Sequence, residues 1–223
     1  MIELINIFLQ FLTFLVMFSF PFNTKILNRS LNLREKNLSL IDSHALNIIF
    51  FIYLSLLVSF FQIDLRLFFK IYLLISIVFI LLNLKWFLTQ ANRKNFFKFI
   101  FFFLVVFSIF IFIAQNIRIE WDGHVWIEKA LIFFNNNEIS KLNDTILPNY
   151  PYLGSYIWAF FWKNSLLEIE YFGRYFFVYF YIVSIFLVLK LSNFKNDFIK
   201  FFLILFLILI TFEPYYFGGY QEY

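Results

Sequence analysis

Apolar runs of seventeen to twenty residues recur along this chain, separated mostly by connections too short to fold alone. A hydrocarbon core roughly 30 Å thick is crossed by about 20 helical residues, so runs of this length read as membrane spans. The stretches are 4–22, 46–63, 67–84, 96–114, 175–191 and 198–217. Inside lipid every backbone N–H and C=O must find a partner within its own segment, which leaves the α-helix as the form these runs can take. The expected fold is therefore all-α: a polytopic transmembrane helix bundle of about six spans, with amphipathic interfacial helices in a long loop at 115–172.

Only 14% of the residues are charged while 62% are apolar, which excludes an ordinary soluble domain. Phe alone contributes 39 residues, and much of that bulk is expected to face lipid. The chain has no cysteine, so disulfides, thiolate metal sites and cysteine nucleophiles are all excluded. A net charge of +4 does not form a basic domain of the kind that binds nucleic acid, because the cations lie in short loops. The first apolar run has neither a basic leader nor a small-residue cleavage pattern, so it is expected to remain as a span. Without internal repeats or Pro/Gly/Ser linkers, residues 1–223 read as one membrane domain.

Lysine and arginine set the expected orientation. Lys25, Arg29, Arg34 and Lys36 fall in one loop, Lys85, Arg93, Lys94 and Lys98 in another, and Lys190, Lys195 and Lys200 in a third. These loops alternate along the chain and are expected on the cytoplasmic side. The N-terminus and the 115–172 loop, which carries Glu120, Asp122, Glu128, Glu138, Asp144, Glu168 and Glu170, then face outward. The 64–66 connection demands a tight hairpin. Were its two spans a single re-entrant unit, the N-terminus would lie on the other side.

Within the outer loop, a helix-compatible run covers 123–134, and helical spacing puts Asp122, Trp126, Lys129 and Phe133 on one side with His124 and Glu128 on another. The 150–162 segment is apolar yet too short to span, which predicts an interfacial or re-entrant helix. Together the two are expected to roof the outer mouth of the bundle. Taken alone, Asp122 serves equally as a helix N-cap or as an acid–base group. Trp121, Trp126, Tyr150, Tyr152, Trp158 and Trp162 suit either an interfacial aromatic belt or stacking on sugar rings. His124 reads as a solvated side chain, Glu128 and Lys129 as water-facing, and Arg174 and Lys70 as snorkelling at span ends. Glu213 before Pro214 is a secondary candidate for a polar cavity in the last span.

The run Trp121-Asp-Gly-His-Val-Trp-Ile-Glu-Lys-Ala130 after a span, followed by Asn149-Tyr-Pro-Tyr-Leu153, resembles the first outer loop of polytopic GT-C-type glycosyltransferases. The nearer likeness is to bacterial relatives of the dolichyl-phosphate-mannose-protein mannosyltransferases. Asn149 stands where Asp is common, and Phe217-Gly-Gly-Tyr-Gln-Glu-Tyr223 resembles a second-loop Gly-Tyr-Ala-Asp segment with Glu222 as the acid. The resemblance implies an N-terminal portion of a longer enzyme in the bacterial inner membrane. Its implied chemistry is inverting transfer of a sugar from a polyprenyl-phosphate donor to a glycan, lipid or protein acceptor, with Asp122 as base. Residues expected around the substrate are Glu120, His124, Trp126, Lys129, Tyr150, Tyr152, Arg174 and Glu222, while Arg118, Lys129 and Arg174 are placed to meet the carrier phosphate. Glu120, Asp122 and His124 are compatible with a divalent cation, but spacing alone defines no metal site, and neither metal nor cofactor is assigned. A transporter or flippase, or a polymerase, of lipid-linked glycans is the alternative reading.

Overall fold

The computed structural model describes residues 2–19, 40–85, 121–136, 138–191 and 197–211, with isolated positions between 88 and 119. These residues form an all-α bundle and contain no strand. Its helices are α1 (Ile2–Ser19), α2 (Leu40–Phe60), α3 (Leu65–Leu82), α4 (Trp121–Phe134), α5 (Leu153–Lys163), α6 (Tyr171–Leu191) and α7 (Asp197–Thr211). A short 3-10 helix, Ile139–Asp144, links α4 to α5. Among the described residues three helices are long and apolar enough to cross a membrane, namely α2, α3 and the Tyr171–Lys190 part of α6, and the protein is a membrane protein. The expected run 96–114 lies largely outside the described residues, although 100, 101, 104, 105 and 108 are helical.

Helix limits differ from the apolar limits where polar groups are satisfied inside the bundle. The second run was expected to begin at 46, but α2 starts at Leu40, because Ser43, His44 and Asn47 are buried with partners. His44 Nδ1 pairs with the Leu40 carbonyl at 2.8 Å, its Nε2 lies 3.4 Å from Ser19 Oγ, and Asn47 Nδ2 donates to Phe18 O at 2.7 Å. Asp42 at this same end is ion-paired with Lys190 of α6. At the opposite end Asn6 Oδ1 of α1 accepts from Leu166 N, Asn164 donates to Leu65 O, and Arg66 pairs with Glu168. Helices α1, α3 and α6 thus run one way and α2 runs back.

The α2–α3 hairpin closes through a left-handed cap. Gln62 has φ 54°, its N–H donates to Ser59 O, and Ile63 N–H reaches Val58 O, the bond pair of a Schellman motif. Asp64 then caps α3, its Oδ1 accepting from Leu67 N at 2.9 Å.

The short apolar segment expected to be interfacial or re-entrant is sunk into the bundle. Every residue from Ser155 to Phe161 of α5 is buried, packed against α2, α3, α4 and α6. Phe161 meets Phe14 of α1 edge-on at 4.9 Å and stacks on Phe176 of α6 at 5.1 Å, while Phe160 packs on Phe51 and Phe68. Phe, read from composition in part as lipid-facing bulk, also builds the interior. Edge-to-face and offset ring pairs favour such a cluster beyond the area they bury. The outer face of α3, with Leu67, Ile71, Leu74, Val78 and Leu81 exposed, is the apolar surface a lipid would cover.

Candidate functional site

The described part of helix α4 starts at Trp121, which puts the Asp122 backbone in its first described turn. The side chains of Trp121 and Asp122, and all of Arg118, Glu120, Glu213 and Glu222, lie outside the described residues. Farther along α4 the side proposed from spacing is buried at Trp126, Lys129 and Phe133, Ala130 is buried beside them, and His124 is exposed.

Lys129, expected to face water, is 0% exposed. Its ammonium donates to Tyr150 O at 2.7 Å and sits over the rings of Trp126 and Tyr150, at 5.7 and 5.9 Å. Burial pushes this ammonium below its ordinary range, and the Glu128 carboxylate pulls it partly back. Glu128 is also engaged, its Oε2 accepting from Ile146 N at 3.1 Å. The pair thus ties the Tyr150-Pro151-Tyr152 segment to α4, and Trp126, Lys129 and Tyr150 come together in one cluster. Tyr152 lies one turn along, its ring 5.6 Å from Phe133 and its hydroxyl 3.4 Å from Ser59 Oγ.

Arg174, expected to snorkel, lies instead in the first turn of α6, buried against Trp158 and paired with Glu170. Its Nε is 2.9 Å and its Nη2 3.0 Å from the two carboxylate oxygens. Burial raises the Glu170 carboxyl while the guanidinium draws it down, leaving it above its ordinary value. Arg174 is thereby separated from the Lys129 cluster in its immediate contacts, and its charge is matched by Glu170.

A cleft of about 140 Å³ opens at the other end of α4, lined by Ser59, Gln62, Ile63, Asp64, Leu65, Phe133, Asn136, Ile139 and Tyr156. Asn136 adopts φ 56° as the left-handed residue that ends α4, and its N–H returns to Phe133 O. Lys163, in the last turn of α5, donates to Phe134 O at 2.6 Å and to Asn136 Oδ1 at 2.7 Å, satisfying a carbonyl left over at the helix end. Asp64 is held below its ordinary value by the Leu67 N–H first, then by the Lys163 charge, the Arg66 N–H and the Asn136 amide, against the opposing effect of burial. Tyr156 is 2% exposed, and its hydroxyl has no hydrogen-bond partner among the described residues. Eleven helical rises separate Asp122 from Phe133, so the cleft and the acid lie about 16 Å apart along α4.

The sequence reading passed over Gln62, Asp64, Asn136, Tyr156 and Lys163. The available signals were the polar hairpin tip and the Asn135-Asn-Asn137 stop, whereas their convergence depends on tertiary packing. Among the described residues no group of three or more His, Asp or Glu is arranged to hold a metal ion. Compared with family models, curated proteins and solved structures, the chain matches none.

Proposed function

We propose that this chain belongs to a multi-pass bacterial inner-membrane glycosyltransferase that moves a sugar from a polyprenyl-phosphate donor to an acceptor at the outer face. The observation that carries the reading is the seating of α4: Trp121-Asp122 lie in its first described turn, while its inner face is locked to the Tyr150-Pro151-Tyr152 segment through Lys129. The two segments that carry the resemblance are thus joined by a direct bond. Sidedness is inferred from the clustering of Lys190, Lys195 and Lys200 along the sequence at and after the opposite end of α6, which assigns that end to the cytoplasm.

In this reading the Asp122 carboxylate takes the proton of an acceptor hydroxyl as that oxygen attacks the anomeric carbon. The bond from the anomeric carbon to the carrier phosphate oxygen breaks, and the phosphate leaves with the electron pair. Attack from the opposite face inverts the centre and requires no carboxylate nucleophile. The exposed Tyr150 offers a ring face beside the path, while the buried Trp126 and Lys129 hold it in place, Lys129 through its bond to Tyr150 O.

The test is transfer of radiolabelled sugar from lipid-linked donor in membranes carrying the full-length protein. Asp122→Asn is expected to lower turnover by about 10²–10⁴-fold with unchanged membrane insertion. Normal turnover by that variant would remove the assignment, and movement of labelled lipid across the bilayer without bond cleavage would replace it with transport.

A further inference from the structure

We propose that the cleft between the α2–α3 turn and the C-terminal end of α4 is a binding subsite for one uncharged, polyhydroxylated ring, a single saccharide unit. The lining combines a carboxylate (Asp64), amides (Gln62 and Asn136) and hydroxyls (Ser59 and Tyr156) with the aromatic side chain of Phe133. That mixture of short polar groups and an apolar wall suits a ring bearing hydroxyls on its edge and C–H groups on its faces.

Charge selects against the obvious rivals. Lys163 faces Asp64 electrostatically, and Arg66 is paired with Glu168, so the rim carries no excess of either sign to attract a phosphate or a cation. The Asp64–Asn136–Lys163 chain fixes the polar wall before any ligand arrives. Tyr156 supplies the independent observation: a buried hydroxyl lining the cleft with no hydrogen-bond partner among the described residues, a group whose hydrogen bond is costly to leave unmade. A ligand hydroxyl would satisfy it. The exposed Phe60 and Phe61 at the hairpin tip adjoin the cleft in sequence, so the ring can be carried by a membrane lipid or arrive free.

This subsite rests on the transferase reading only for its place in a reaction, and binding is measured without transfer. Methyl hexopyranosides are titrated by saturation-transfer NMR against the full chain in nanodiscs. Saturable binding is expected, weakened about five- to tenfold in Tyr156→Phe. Thermal stability of that variant should be equal or higher, since the hydroxyl removed has no hydrogen-bond partner among the described residues. Asp122→Asn should bind like the parent, so loss of transfer with retained binding isolates the acid from the cleft. A hexosyl diacylglycerol in the nanodisc that displaces the methyl glycoside identifies a lipid-borne ring, and no displacement identifies a free one; both uphold the site. Absence of saturation with every hexopyranoside, or unchanged binding in both Tyr156→Phe and Gln62→Leu, would overturn it.

Discussion

Arg174 illustrates how a charge near a span end can be structural. Its guanidinium is buried beside Trp158 and matched by Glu170 one turn earlier, so removing it strands a largely buried carboxylate. Arg174→Ala is expected to cost about 3 kcal/mol, read as a lowered unfolding midpoint in detergent, with partial recovery in the Glu170→Gln double variant. The next contact along is tighter still. A Cβ on Gly173 would fall 2.4 Å from the Trp158 carbonyl oxygen and 2.3 Å from its Cδ1, and the backbone atom has no rotamer by which to yield. Gly173→Ala should therefore push α5 from α6 and cost about 1–3 kcal/mol. An unchanged melting curve would show that the two helices approach less closely. Lys129 shared a helix side with Trp126 and Phe133 in the sequence, yet it was read as facing water, and its burial was not legible. An ammonium is normally assigned to water, and the carbonyl of Tyr150, twenty-one residues on, with the rings of Trp126 and Tyr150 makes the inward position tenable.

Among elements, the all-α class followed from the apolar runs, since lipid permits little else. Boundaries were less legible because hydropathy ignores partners: α2 gains its first turn from polar residues that are satisfied by α1. The α5 segment was ambiguous for a physical reason, as a largely apolar helix of eleven residues fits an interface and an interior equally well until its neighbours are known. The connection joining α2 to α3 offers a pH test. Asp64 is depressed in the folded protein, so its contribution is present above the ordinary carboxylate range and is lost as pH falls through the folded value. Between about pH 6 and about pH 3 the parent should lose more stability than Asp64→Asn, which keeps a capping oxygen but cannot titrate. Equal losses in the two proteins would mean that the charge contributes nothing.

For the whole molecule, the absence of cysteine makes sidedness directly measurable. Single cysteines at His124 and at Lys200 should react with an impermeant maleimide from opposite faces of sealed vesicles, His124 from the face proposed as outer. Reaction of both from one face would invert or abolish the proposed arrangement. The enclosure of α5 also dictates an order of events during biogenesis. At about 16 Å it is too short to lodge in lipid unaided, and its sticky aromatic surface is ill suited to linger in water. It acquires a home only when α2, α3 and α6 stand around it, so the ribosome delivers this helix before its final wall, α6, exists. The last act of assembly is then the docking of an already synthesised plug, and a chain halted before α6 would be left for quality-control proteases.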